Sequence, residues 1–430
     1  MLSRLDLRGP DADPRVALAA ASNAAYEPVE LVREIIEDVR RRGDAAVREL
    51  TARFDGCTIA DLRVSAEEIE AAVQATDRDL LDALEQAAER IRGYHEAQSA
   101  AQGPVEFDAD GVTVEERLTP VDRAGLYVPG GRAAYPSTVL MTAIPAAVAG
   151  VSEIALCVPP DADGRVPGVT LAAASLAGVS EVYRVGGAQA IAAMAYGTES
   201  VPAVDIIVGP GNIYVSVAKR EVAGAGVVGI ESTAGPSELV VVADEHAPVD
   251  FVAADLAAQA EHGPGGTAIL VTWSEAAADA IAAALEALVV DSSRRTELDM
   301  TLADGGHVVL VRDAAQAMEV VNWIAPEHLE LVTADPEALV PLVRNAGAVF
   351  VGPHAPTALG DYAAGANHVL PTGRSARFAS ALRVDDFRKH LHVVRATPEG
   401  SATLSRVAAV IARAEGLDEH AHSLDLRAEL

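Results

Sequence analysis

Cysteine, aromatic residues, basic charge and long apolar runs are all scarce in this chain of 430 residues. Its 2 cysteines, Cys57 and Cys157, do not make a disulfide framework, and Cys157 lies within the apolar run Ile154-Ala-Leu-Cys-Val158, which reads as a buried strand. Aromatic residues are 4% of the chain against 50% hydrophobic residues, which suits helices packed on buried parallel strands better than an aromatic-rich sandwich. Lys and Arg number 33 against 63 Asp and Glu, a formal net charge of -30 spread along the chain. Such a field repels phosphate backbones and anionic lipid, so neither nucleic acid nor a membrane surface is an expected partner, while a cationic small substrate is drawn inward. The longest apolar stretch, 139–151, is broken by Pro145, and Met1-Leu-Ser-Arg-Leu-Asp-Leu7 has no long apolar segment. The expectation is a soluble, cytoplasmic protein.

The length suits two domains of ordinary size. From Glu27 to about Ser99 the pattern is helical, with Glu34, Glu37, Arg40 and Arg41 set against Leu, Ile and Val, and no chemistry is evident there. Residues 111–118 alternate as a strand does, and Gly125-Leu-Tyr-Val128 opens a regular series. Apolar runs recur at 153–158, 181–185 and 204–208, each followed by an Ala-rich segment of helical length. A second series has strands at 238–242, 268–272, 307–311, 328–332 and 348–351. The predicted fold is therefore α/β: two doubly wound, incomplete Rossmann-like domains with parallel sheets. The expected partition is an N-terminal arm (1–25), one domain from 26–124 with 239–375, a second from 125–238, and a small segment (376–430) of short elements plus one helix at 401–415 that must dock elsewhere.

The turn Val208-Gly-Pro-Gly-Asn212 follows a strand and precedes a helix, where ligands bind at the carboxyl ends of a parallel sheet, but Tyr214 stands where the third glycine of the dinucleotide fingerprint belongs. Gly263-Pro-Gly-Gly-Thr-Ala268 falls between helix and strand, the wrong context. Further turns at Pro129-Gly-Gly131, Gly186-Gly-Ala-Gln189 and Gly235-Pro-Ser237 would together offer backbone N–H groups along a sheet edge. In Asp255-Leu-Ala-Ala-Gln-Ala-Glu-His262, Gln259 and His262 leave one face of a helix. With Asp361 in Gly360-Asp-Tyr-Ala-Ala-Gly365 and His420 in Glu415-Gly-Leu-Asp-Glu-His420 they form a mixed N/O set suited to zinc or manganese, without thiolate. Taken singly, these are ordinary helix-end and turn residues. Pro326-Glu-His-Leu329 puts an acid beside an imidazole: in a strand they face opposite ways, in a loop both reach one pocket, where an imidazole removes an alcohol proton and a carboxylate activates water. A surface loop is the plainer alternative.

Taken together, Gly125-Leu-Tyr-Val-Pro-Gly-Gly131, Gly209-Pro-Gly-Asn212, Ala234-Gly-Pro-Ser-Glu238, Gln259-Ala-Glu-His-Gly-Pro264, Ala325-Pro-Glu-His-Leu329, and Gly360-Asp-Tyr362 with Asn367-His-Val-Leu-Pro371 closely resemble the histidinol dehydrogenase family, in the family's order. The resemblance runs from about Glu27 to the C-terminal helix. It implies oxidation of L-histidinol to L-histidine with two NAD, and a zinc ion, or manganese, on Gln259, His262, Asp361 and His420. It implies His328 as general base, Glu327 as the residue that activates water, Ser237 and Glu415 as substrate contacts beside the metal ligands and His328, and Tyr127, Gln189 and Asn212 as NAD contacts. It also implies a homodimer whose N- and C-terminal extensions pack together, with the C-terminal segment completing the neighbour's site. A related metal-dependent NAD dehydrogenase of another amino or hydroxy alcohol is the alternative, and the retained Gln259, Glu415 and His420 favour histidinol.

Overall fold

Apolar residues alternate along the central strands and so sort onto two faces: Leu239, Val241 and Ala243 enter one core cluster, Val240 and Val242 another. The computed structural model describes residues 2–9, 27–101, 103, 105–130, 133–232, 235–263 and 265–429. Most of the expected arm, and Gly131, Ala234 and Pro264 of the motifs, lie outside these. The strands are β1 (Ser3–Asp6), β2 (Val105–Ala109), β3 (Val112–Pro120), β4 (Arg123–Tyr127), β5 (Glu153–Cys157), β6 (Glu181–Tyr183), β7 (Ile206–Val208), β8 (Gly229–Ile230), β9 (Glu238–Ala243), β10 (Thr267–Thr272), β11 (Gly306–Leu310), β12 (His328–Val332), β13 (Ala348–Val351) and β14 (Arg388–Ala396).

Two sheets are parallel throughout, as expected. One runs β6-β5-β4-β7-β8, the other β1-β11-β10-β9-β12-β13. Numbered within each series, and leaving aside β1 at the edge of the second sheet, both read 3-2-1-4-5, the first five strands of the Rossmann order, with the order reversing between β4 and β7 and between β9 and β12. The two series are thus alike in topology although no sequence repeat connects them. Helices cover both faces of each sheet, which keeps the nearly continuous apolar strands out of water.

The packing differs from the expected partition in two places. The N-terminal helices, assigned with 239–375, lie instead on the sheet of 125–238: Val32, Ile35, Val39, Val47 and Leu50 share a cluster with Tyr127, Ile191 and Val217. On the opposite face of that sheet, Leu84, Ala88 and Ile91 pack with Leu126, Leu140 and Ile144. Helical periodicity specifies an apolar face but not the surface that receives it. The C-terminal segment also holds more than short elements and one helix. β14 forms a nine-residue antiparallel ladder with β3, in a three-stranded sheet with β2. Two helices, Pro398–Ala414 and Asp418–Ala428, then pack on each other. No described helix is long and apolar enough to cross a membrane.

β1 anchors the chain start to the edge of the second sheet, where Leu7 is 2% exposed, its N–H donates to Leu310 O and its carbonyl accepts from Gln316 Nε2. Leu7→Ala is expected to cost about 2–4 kcal/mol in urea unfolding. A cost near zero would show that this strand contributes nothing to the sheet.

Candidate active site

The strand–helix turns of the first sheet open at its carboxyl end. There Tyr127, Gln189 and Asn212, the expected NAD contacts, line one cavity of roughly 690 Å³. Tyr127 Oη accepts from Gly187 N at 3.1 Å. Asn212 caps the helix Ile213–Gly224 by accepting from Tyr214 N and Val215 N. Gln189 is buried and its Nε2 has no partner among the described residues. The Gly209 turn needs its glycine: φ is +120°, and a Cβ would stand 2.0 Å from Tyr127 O. Sequence reasoning missed what holds this turn. Lys219 and Glu231 form an ion pair of 2.7 Å with side chains 1% and 2% exposed. Lys219 Nζ also donates to Gly209 O, and Glu231 Oε1 accepts from Gly209 N.

In the second sheet the chemistry gathers at the opposite, amino end of the strands. Ser237 immediately precedes β9, and Glu327 immediately precedes β12, which His328 opens. Because Glu327 stands before the strand, both side chains reach one crevice: His328 Nδ1 lies 3.4 Å from Glu327 Oε2, and Nε2 lies 3.5 Å from Asp361 Oδ1. Glu327 Oε2 accepts from Ser237 Oγ at 2.6 Å and from Glu238 N at 3.0 Å. Ser237 Oγ also lies 3.3 Å from Gln259 Oε1, and the buried Gln259 leaves Nε2 without a partner among the described residues. Asp361 reaches the crevice because Gly360 lets its helix lie against Phe350; a Cβ there would stand 2.4 Å from the ring.

Burial alone would lower the His328 imidazole, but the Glu327 and Asp361 carboxylates outweigh it and hold it up at about 10. Burial would raise Asp361, yet the facing His328, with His368 and His262, brings it down. Glu238 is raised to about 7 by burial and by the Glu327 charge.

The residues of the expected metal set lie in two places. Gln259 meets Ser237 at the crevice, and the charge of His262 acts on Asp361; His262 is exposed, with its Nδ1 3.2 Å from Gln259 O, so that Nε2 remains as its donor atom. An amide oxygen, an imidazole and a carboxylate suit zinc or manganese, and turning the Gln259 amide over would put its oxygen where the unpartnered Nε2 stands and let Nε2 donate to Ser237 Oγ. A cation on Asp361 would also compete with His328 for that carboxylate. His420 and Glu415 are not brought to the crevice by their own chain: both are exposed on the paired C-terminal helices.

Two further groups bear on the site. His368 sits between the two halves, with Nδ1 at Asp361 O and Nε2 at Thr138 Oγ1, which joins the helix Pro136–Ala149 of the first sheet to the crevice of the second. Its motif was legible, its role was not. Glu330, two residues beyond His328 on the same strand face, is buried and accepts from Thr357 N at the start of the Asp361 helix; burial and the facing Asp255 raise its carboxyl. Thus Glu330 fixes the helix that carries Asp361.

The family model for histidinol dehydrogenase matches residues 19–428. This chain belongs to the histidinol dehydrogenase family. The histidinol dehydrogenase of Rhizobium meliloti (strain 1021) is 50% identical over 402 residues, covering 93% of this chain and 92% of that one. That of Bradyrhizobium diazoefficiens is 48% identical over 431 residues, 99% of each. The crystal structure of histidinol dehydrogenase from Elizabethkingia anophelis superposes with a TM-score of 0.94 at 33% identity, covering 100% of this chain and 98% of that one.

Two measurements check the electrostatics of this family member. Lys219→Met leaves Glu231 buried without its cation and should cost about 3–5 kcal/mol by chemical denaturation, with most of it recovered on adding Glu231→Leu. Glu238→Gln addresses the raised carboxyl. Its folded value lies above its unfolded one, so the wild type loses stability as pH rises from the unfolded value through about 7. The variant's Tm advantage should therefore grow between pH 5 and 8; a gap independent of pH would contradict the assignment.

Proposed function

We propose that the chain oxidises L-histidinol through the aldehyde to L-histidine, reducing two NAD, as the final steps of histidine biosynthesis. The reading rests on one observation above all: Glu327 and His328 lie buried side by side, with Ser237 on the acid and Asp361 on the imidazole. In the first step His328, once neutral, accepts the alcohol proton while hydride passes to NAD. Water then adds to the aldehyde with Glu327 as its base, and a second hydride leaves the hydrate, giving the carboxylate and a second NADH. A cysteine route finds no support. Cys57 is buried with its thiol pushed up, and burial pushes the Cys157 thiol up to about 12.

Zinc, or manganese, held by Gln259, His262, Asp361 and His420 of the partner subunit, would supply a positive centre that binds two substrate nitrogens and fixes their orientation. Ser237, with Glu415 of the partner subunit, would contact the substrate, and Tyr127, Gln189 and Asn212 would hold NAD. The composite site is favoured by the C-terminal helices, which lean on little but each other and β14 while leaving Val407, Val410 and Ile411 59%, 66% and 56% exposed. A homodimer burying that face brings a second chain's C-terminus to the crevice. Two buried free thiols fit a reducing, cytoplasmic setting.

The direct test is the yield of NADH per L-histidinol consumed, with and without a chelator. About two NADH are expected, lost on chelation and restored by zinc or manganese. No NADH from metal-loaded protein would overturn the assignment and favour another amino or hydroxy alcohol.

A further inference from the structure

The cavity at the carboxyl end of the first sheet is walled partly by residues from outside that sheet. Leu31, Ile35 and Phe54, from the N-terminal helices, form an apolar side, and Asp55 follows directly on Phe54. Asp161 adds a second carboxylate, and no Lys or Arg is among the described lining residues. Asp55 is half-buried, and its Oδ2 has no hydrogen-bond partner among the described residues. A half-buried carboxylate short of donors at the wall of a cavity has most to gain from hydroxyl groups brought by a ligand.

The faces of the sheet decide which part of a dinucleotide would meet it. Tyr127 points to the same face as the N-terminal helices. The helix Pro136–Ala149, whose Thr138 touches His368 beside the catalytic crevice, covers the opposite face. The nicotinamide has to reach the crevice side, so the adenosine half belongs on the side of Leu31, Ile35 and Phe54, whose apolar surfaces suit a purine.

We infer that Asp55 binds the adenosine ribose diol and sets the preference for NAD over its 2′-phosphorylated form. The inference rests on reading this cavity as the NAD site. In the usual dinucleotide fold an acidic residue on the sheet itself takes that hydroxyl, whereas a 2′-phosphate needs a cation. Here the fingerprint is missing, and the N-terminal helical segment supplies the acid from outside the sheet. Burial lifts the Asp55 carboxyl to about 6, so at neutral pH it is still an anion that repels a 2′-phosphate.

Calorimetric titration of the full chain with ADP-ribose and with 2′-phospho-ADP-ribose tests this without turnover. The wild type should bind ADP-ribose at least about tenfold tighter, and Asp55→Asn should weaken ADP-ribose about tenfold while sparing the phosphorylated ligand, so that the ratio collapses. With L-histidinol as substrate, KM for NAD should rise and kcat hold. A variant that keeps the wild-type ratio overturns the role of Asp55. A wild type that binds neither ligand overturns the NAD reading of the cavity itself. A misfolded variant would lose both ligands together and show a lowered Tm, and Asp55→Ser, smaller and neutral, then has to narrow the ratio for the inference to stand.

Discussion

Glu327 and His328 are 7% and 4% exposed, and a carboxylate and an imidazole can share such a crevice only if neighbours supply the hydrogen bonds and charge that water would otherwise provide. Ser237 Oγ and Glu238 N serve the acid, while Asp361 serves the imidazole. That requirement reaches outward. Asp361 depends on a six-residue helix whose first N–H is held by Glu330, and on Gly360 for the approach to Phe350. His368 ties the Asp361 backbone to Thr138 and so to the other sheet. The chain does not complete this network by itself: Gln259 Nε2, one Glu238 oxygen and His328 Nε2, which has only the 3.5 Å ion pair to Asp361, lack a hydrogen bond among the described residues.

The two sheets share a strand order but are used from opposite ends. The first follows the general rule, with its cavity outside the carboxyl ends at the reversal between β4 and β7. The second places its acid and imidazole at the amino ends of β9 and β12, where Ser237, Glu327 and the segment through His368 can face the first sheet's helix Pro136–Ala149. A cofactor seated on one sheet can thereby reach a substrate seated on the other.

Much of the fold was legible because buried parallel strands read as continuous apolar runs; β12 and β13 fall where the sequence placed them, at 328–332 and 348–351. The helix Asp418–Ala428 was not legible, since Ala421 is its one buried residue within the chain and it carries no apolar stripe to read. Glu330 escaped notice for a different reason. Acid alternating with Leu in a strand ordinarily marks a solvent face, yet this face lies against the helix Val249–Ala260 and its Asp255. The motif around Glu327 and His328 carried the site, whereas Asp55, Lys219 and Glu231 gained meaning only from the contacts that folding gives them.

In the proposed shared site, Glu327, His328 and Asp361 come from one chain and Glu415 and His420 from the other. Mixing two inactive chains, His328→Asn and His420→Asn, after joint refolding tests it most directly. Random pairing into dimers leaves one intact site in each mixed dimer, so about a quarter of the wild-type L-histidinol oxidation should return. No activity above that of the separate variants would contradict a shared site and require His420 to serve its own chain or none.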